Sequence, residues 1–82
     1  FTGSLNTSVA HPREIFRSAL LNNGARILVY HNHPSGNTEP SEADLIFTKR
    51  MEEAGSILGI DLLDHIIVSG KEWLSLREYG IL

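Results

Sequence analysis

The run Ala25-Arg26-Ile27-Leu28-Val29-Tyr30 constrains the fold more than any other stretch of this chain. From Ile27 onward it is apolar on both sides of a strand's alternation, which predicts a strand covered on both faces and central in its sheet. Turn formers bound it on either side, Asn22-Asn23-Gly24 before it and the stretch from Pro34 to Pro40 after it. The rest of the chain has to be arranged around that strand.

A short strand is expected near Thr2 to Leu5. Pro12 then suits the first position of a helix, and Ile15, Phe16, Ala19 and Leu20 recur at helical spacing, which predicts a helix over about 12–22. Ser41 opens a second helix as its N-cap, with Asp44 three residues later in a variant of the capping box. Within that helix Phe47, Met51, Ala54 and Leu58 form an apolar stripe ending at Gly59. Ile60 to Ser69 and Glu72 to Leu76 read as two strands joined around Gly70-Lys71, followed by a short tail over Arg77 to Leu82. The order β-α-β-α-β-β describes an α/β sandwich built on one sheet, in one domain.

The 82 residues suffice for a single core, and 41% hydrophobic with 21% charged residues is ordinary for a folded globular domain. There is no cysteine, so a disulfide framework and a thiolate metal site are both excluded. No apolar run approaches the roughly 20 residues of a membrane span, and the N-terminus lacks the layout of a signal peptide. No membrane association is expected, and a cytoplasmic location is. A formal net charge of −3 offers no overall basic footprint for nucleic acid.

Chemistry concentrates in residues 31–44. His31 and His33 lie at the end of the predicted central strand, and side chains at i and i+2 project from one face. Two imidazoles therefore converge by local geometry alone. Zinc prefers a tetrahedron with bonds of about 2 Å, so a third ligand has to come from another element while a fourth position stays open for water. Asp44 can supply it: the loop returns the chain to the helix start, and Asp44 stands three residues before Phe47 on the inward stripe, where the helix dipole favours a carboxylate. A His-x-His pair alone commonly decorates a surface, and an acid in a first helical turn commonly only caps it. The full order His-x-His-x7-Ser-x2-Asp is specific.

With these residues the chain resembles the JAMM (MPN+) metalloprotease domains, and among them the bacterial RadC-type proteins. The resemblance runs through Gly3-Ser4-Leu5-Asn6, His11-Pro12-Arg13-Glu14, His31-Asn32-His33-Pro34-Ser35-Gly36 and Leu63-Asp64-His65-Ile66-Ile67-Val68. It implies a RadC-like JAB/MPN domain over residues 1–82, with the cytidine deaminase-like architecture of a three-layer-like sandwich, a mixed sheet and two main helices. It implies zinc on His31, His33 and Asp44, and a Ser41 hydroxyl that supports the bound water or the oxyanion, besides capping the helix. The implied activity is hydrolysis of a peptide or isopeptide bond in a peptide or protein substrate.

The family's general base is a glutamate on a strand preceding the first helix, which by the resemblance falls before Phe1. The chain accordingly reads as truncated at its N-terminus and inactive by itself. Glu14, Glu39 and Glu42 fit that role less well, Glu14 as part of the first helix and the other two as solvated charges beside the loop. Asn32, Ser35 and Thr38 are the nearby candidates to orient the histidines, with no choice among them. Asp64 and His65 point to opposite faces of a strand and so form no dyad, and His65 reads as structural. Trp73 and Tyr79 are expected in the core or at its rim. Two other readings stand beside the hydrolase: an inactive, metal-containing module that binds a peptide or protein, and a DNA repair-associated factor, suggested only by the historical naming of RadC-type proteins.

Overall fold

A computed structural model gives the fold and describes residues 11–21, 23–24 and 26–82, with 2–5 described by backbone alone. The elements follow in the order β1 (Thr2–Leu5), α1 (Pro12–Leu21), β2 (Arg26–Asn32), α2 (Glu42–Leu58), β3 (Asp61–Ser69) and β4 (Glu72–Ser75). Asn22 of the expected helix stop, Ala25 of the expected strand and Asn6 of the first resemblance segment lie outside the described residues. The strands form one mixed sheet in the order β1-β2-β3-β4, parallel across the first two pairs and antiparallel across the last. β2 is an inner strand, as its apolar run requires.

Local chemistry accounts for the element ends. α1 stops at Asn23, whose φ of +54° is the left-handed turn, and Gly24 N donates back to the Ala19 carbonyl at 2.7 Å. Ser41 caps α2 with a complete capping box: its Oγ accepts from Asp44 N at 3.1 Å, and its own N donates to Asp44 Oδ2 at 2.8 Å. Gly59 ends the helix in the left-handed conformation, with φ +72°.

Both helices lie on the same face of the sheet. Two parallel crossovers that advance in one direction, each of the usual right-handed sense, lead to that arrangement. The core shows it: Ile15, Phe16 and Ala19 of α1, Met51 of α2, Ile27 and Val29 of β2 and Leu62 of β3 form one buried cluster. The α/β class, the single mixed sheet and the two helices are as expected. The second face of β2 is correspondingly open, with Leu28 half-buried and Tyr30 37% exposed. Trp73 and Tyr79, at 60% and 56% exposed, are surface residues and not core. Trp73 stands on the edge strand opposite Val68, on the face the helices leave uncovered.

The buried row of α2 also differs from the expected stripe. Asp44, Thr48, Met51 and Gly55 are buried, whereas Phe47 and Ala54 flank the core and Leu58 is 45% exposed. Gly55 belongs to this buried row, and a Cβ there would stand 2.2 Å from the Ile60 carbonyl oxygen. The helix presses its narrowest side chain against the turn that leads into β3.

One irregularity decides what faces the helices from β3. Ile27 pairs with Leu62 but Leu28 with Asp64, so Leu63 is an extra residue in the β2–β3 ladder. Leu62 and His65 consequently share the helix-side face, and Asp64 turns to the other.

Candidate metal centre

His31 sits near the end of β2, and His33 follows directly after the strand. The backbone of His33 is nevertheless held in line by β3: its N–H donates to the Val68 carbonyl at 2.8 Å, and its carbonyl accepts from Ser69 Oγ. The two rings meet edge to face with centroids 4.8 Å apart. Asp44 reaches them from the first turn of α2, where the capping box fixes its carboxylate, and it is only 3% exposed. Its Oδ1 lies 2.7 Å from His31 Nδ1 and its Oδ2 lies 2.9 Å from His33 Nε2. Among the described residues these three form the one group of His, Cys, Asp or Glu able to hold a metal ion, with a donor atom from each gathered within 4.8 Å. The three residues marked out by spacing are therefore brought together.

The protonation pattern bears on whether a cation fits. His33 Nδ1 is 2.9 Å from the Asn37 carbonyl oxygen, which can only accept, so Nδ1 carries the proton. In the neutral ring Nε2 is then a bare lone pair, and it faces a carboxylate oxygen at 2.9 Å. Two electron-rich atoms at that distance repel unless a proton or a metal cation stands between them. His31 Nδ1 adds to this. Its 2.7 Å approach to Asp44 Oδ1 lacks hydrogen-bond alignment, and no other partner satisfies this buried nitrogen. Two imidazole nitrogens and a carboxylate, with no thiolate, make a donor set suited to zinc and related divalent ions.

Electrostatics point the same way for the carboxylate. Burial alone would push the Asp44 pKa up. The hydrogen bonds from Ser41 and the adjacent His31 and His33 rings outweigh it and hold the group below its ordinary value. Asp44 is thus kept ionised, the form a metal requires.

Ser41 is exposed beside Asp44, and Glu14, Glu39 and Glu42 are exposed and outside the cluster. The orienting partner of His33 is the Asn37 carbonyl and not the side chain of Asn32, Ser35 or Thr38. Asn37 is itself fixed by accepting from Glu39 N through its Oδ1, at 2.9 Å. A backbone carbonyl in an irregular loop leaves no signature in a sequence. Asp64 and His65 do point apart. Asp64 accepts from Ser75 Oγ and Arg77 N on the open face, while His65 is buried beneath the cluster with its ring stacked on His31, centroids 5.9 Å apart. Thr48, which was not singled out by sequence, lies between α2 and that ring. Its spacing four residues after Asp44 is the signal that would have found it.

The fold and site define an α/β domain with a His, His, Asp cluster able to hold a metal ion where a strand end meets a helix start. Within that class, the family model described as RadC-like JAB domain matches residues 1–81, and the chain belongs to this family. Membership supports a metal-dependent, hydrolase-like domain. The chain is similar to a UPF0758 protein of Enterococcus faecalis, 63% identical over 78 residues that cover 95% of this chain and 34% of the relative. It is also similar to UPF0758 proteins of Listeria welshimeri, 55% identical over 98% of the chain and 36% of the relative, and of Clostridium beijerinckii, 52% identical over 100% and 36%. The chain thus spans about a third of the length of these curated relatives. Among the described residues no helix is long and apolar enough to cross a membrane.

Proposed function

We propose that this chain is the metal-binding part of a zinc-dependent hydrolase that cleaves a peptide or isopeptide bond. His31, His33 and Asp44 are the ligands in this reading. The observation that carries it is the gathering of His31, His33 and Asp44 donor atoms within 4.8 Å of one another, with the buried His31 Nδ1 left without a hydrogen-bond partner and His33 Nε2 2.9 Å from the Asp44 carboxylate, an arrangement that a cation relieves.

Zinc held by His31, His33 and Asp44 would supply Lewis acidity to a water and to the substrate carbonyl. The chain's residues do the positioning. Asn37 holds His33 in the tautomer that presents Nε2, as a hydrogen bond to the distal nitrogen does in metal-binding histidines generally. Ser41 N–H and the helix start hold the Asp44 carboxylate ionised and inward. The Ser41 hydroxyl, exposed next to Asp44, is the donor we assign to the carbonyl oxygen as negative charge develops on it. The proton transfer from water to the leaving amine is assigned to a glutamate outside residues 31–44. A peptide or protein is the substrate class, in keeping with the exposed position of Ser41.

Metal analysis after exhaustive dialysis tests the assignment. The parent is expected to retain about one zinc per chain, and His31→Ala and His33→Ala are expected to retain little. Equal zinc in all three chains would refute these ligands.

A further inference from the structure

Thr48 and His65 lie under the metal centre and contribute no donor to it. Both are buried, at 0% and 1% exposed. Thr48 stands one helical turn after Asp44. Its hydroxyl is 2.8 Å from the Asp44 backbone carbonyl and 2.7 Å from His65 Nδ1. The carbonyl can only accept, so the hydroxyl proton goes to it, and Thr48 Oγ1 in turn accepts from His65. That order of donation puts the His65 proton on Nδ1 and leaves Nε2 bare; Nε2 is buried and has no partner. The ring lies nearly parallel to His31, at 20°, with centroids 5.9 Å apart, and Phe47 meets it edge-on at 5.7 Å.

A threonine hydroxyl that bonds back to the carbonyl four residues earlier is common in helices and does nothing for a neighbouring element. The second bond, to His65, is different because it crosses from α2 to β3. We propose that Thr48 and His65 are a positioning pair for the metal ligands: one hydroxyl ties the helix turn that carries Asp44 to the imidazole on which His31 stacks. Two ligands from different elements are thereby held at a fixed separation. The inference rests on the metal reading above and deepens it. A hydrophobic pair would fill the same space but would leave the Asp44 turn without a directional hydrogen-bonded tie to β3. The bulge at Leu63 belongs to the same device, because it brings His65 to the helix side.

The test compares the full chain with Thr48→Val, which keeps the shape and loses the hydroxyl, and Thr48→Ser, which keeps the hydroxyl. Zinc affinity is read by competition with a chelator, and the His65 tautomer by ring nitrogen spectra of the metal-free parent. The parent is expected to show a single Nδ1-protonated His65. Thr48→Val is expected to bind zinc about 10–100-fold more weakly, the usual range for groups that orient ligands, and Thr48→Ser to recover most of that loss. If Thr48→Val melts at a lower temperature yet binds zinc as tightly as the parent, the pair is structural only and the inference falls while the metal reading stands. A parent His65 protonated on Nε2 also overturns it, even if Thr48→Val does not fold. A parent that takes no zinc overturns the metal reading itself, and this inference with it.

Discussion

Burial is the largest influence on His65, pushing its pKa from 6.5 to about 4 against the pull of Asp44, with His31, Asp64 and His33 contributing less. The unfolded chain takes up a proton on this ring as pH falls below about 6.5, whereas the folded chain takes none until about 4. Between those values the unfolded state binds more protons, so stability falls as pH falls. The full effect is of the order of 3 kcal/mol, at about 1.4 kcal/mol for each pH unit. Asp44 works in the same direction but in a lower window. Its folded pKa is depressed, so the stability it contributes is present above its ordinary value of 3.8 and lost as pH falls through the depressed value. The two are therefore separable. In metal-free protein, the urea midpoint of the parent should drop between pH 6.5 and 4, and His65→Phe should lose the part of that slope due to this ring while keeping the fall below 3.8. The same slope in His65→Phe as in the parent would show that the buried imidazole is not its source.

At the scale of elements, α2 depends on a residue that helix propensity disfavours. Replacing glycine by alanine in a helix ordinarily gains up to about 1 kcal/mol, but at Gly55 the added Cβ meets the Ile60 carbonyl oxygen at 2.2 Å. That oxygen is backbone and cannot swing away, and Ile60 N is engaged with Gly55 O at 2.9 Å. Gly55→Ala is therefore expected to lower stability by about 1–3 kcal/mol, the usual cost of overpacking, and thermal melting reads the sign directly. A raised melting temperature would mean that α2 and the turn to β3 are not in the contact described. The same contact shows why some features were legible in the sequence and others were not. Ser41, Gly59 and Pro12 mark helix ends by local chemistry, and the ends fall within a residue or so of expectation. His31, His33 and Asp44 come together because i, i+2 geometry and a short loop ending in a capping box are also local. The burial of Thr48 instead of Phe47 goes with the close approach of Gly55 to the Ile60 carbonyl in the turn after the helix, which the apolar stripe does not encode. The Leu63 bulge depends on register between β2 and β3, and the helices' shared face on the direction of two crossovers. None of these is written in a single periodic stretch, so the floor of the site stayed hidden while its ligands did not.

For the molecule as a whole, the question is whether residues 31–44 suffice for catalysis. Zinc coordination and the Ser41 hydroxyl can both be assembled from this stretch, yet among the described residues Asp44 is the one carboxylate in the cluster, and its oxygens are already engaged with the histidines and Ser41 N. Glu14, Glu39 and Glu42 are exposed and outside it. In the proposed hydrolase, the group that accepts a proton from water and delivers it to the leaving amine is assigned outside this cluster, and the chain spans about a third of the length of its relatives. General acid–base help of this kind contributes roughly 10²–10⁴-fold in rate. We expect the 82-residue chain, loaded with zinc, to cleave a peptide or isopeptide substrate slower by about that factor than the full-length protein. The full-length protein with its candidate upstream glutamate changed to glutamine should behave like the short chain, and metal content measured on all three separates a lost base from a lost ion. Equal cleavage by all three would mean that an acid within these residues, such as Glu14, acts as the base, or that the JAMM mechanism does not apply. Zinc binding without cleavage by any of them would favour the module that uses its metal to hold a peptide or protein, because the ligand geometry would then serve binding and no proton shuttle would be needed.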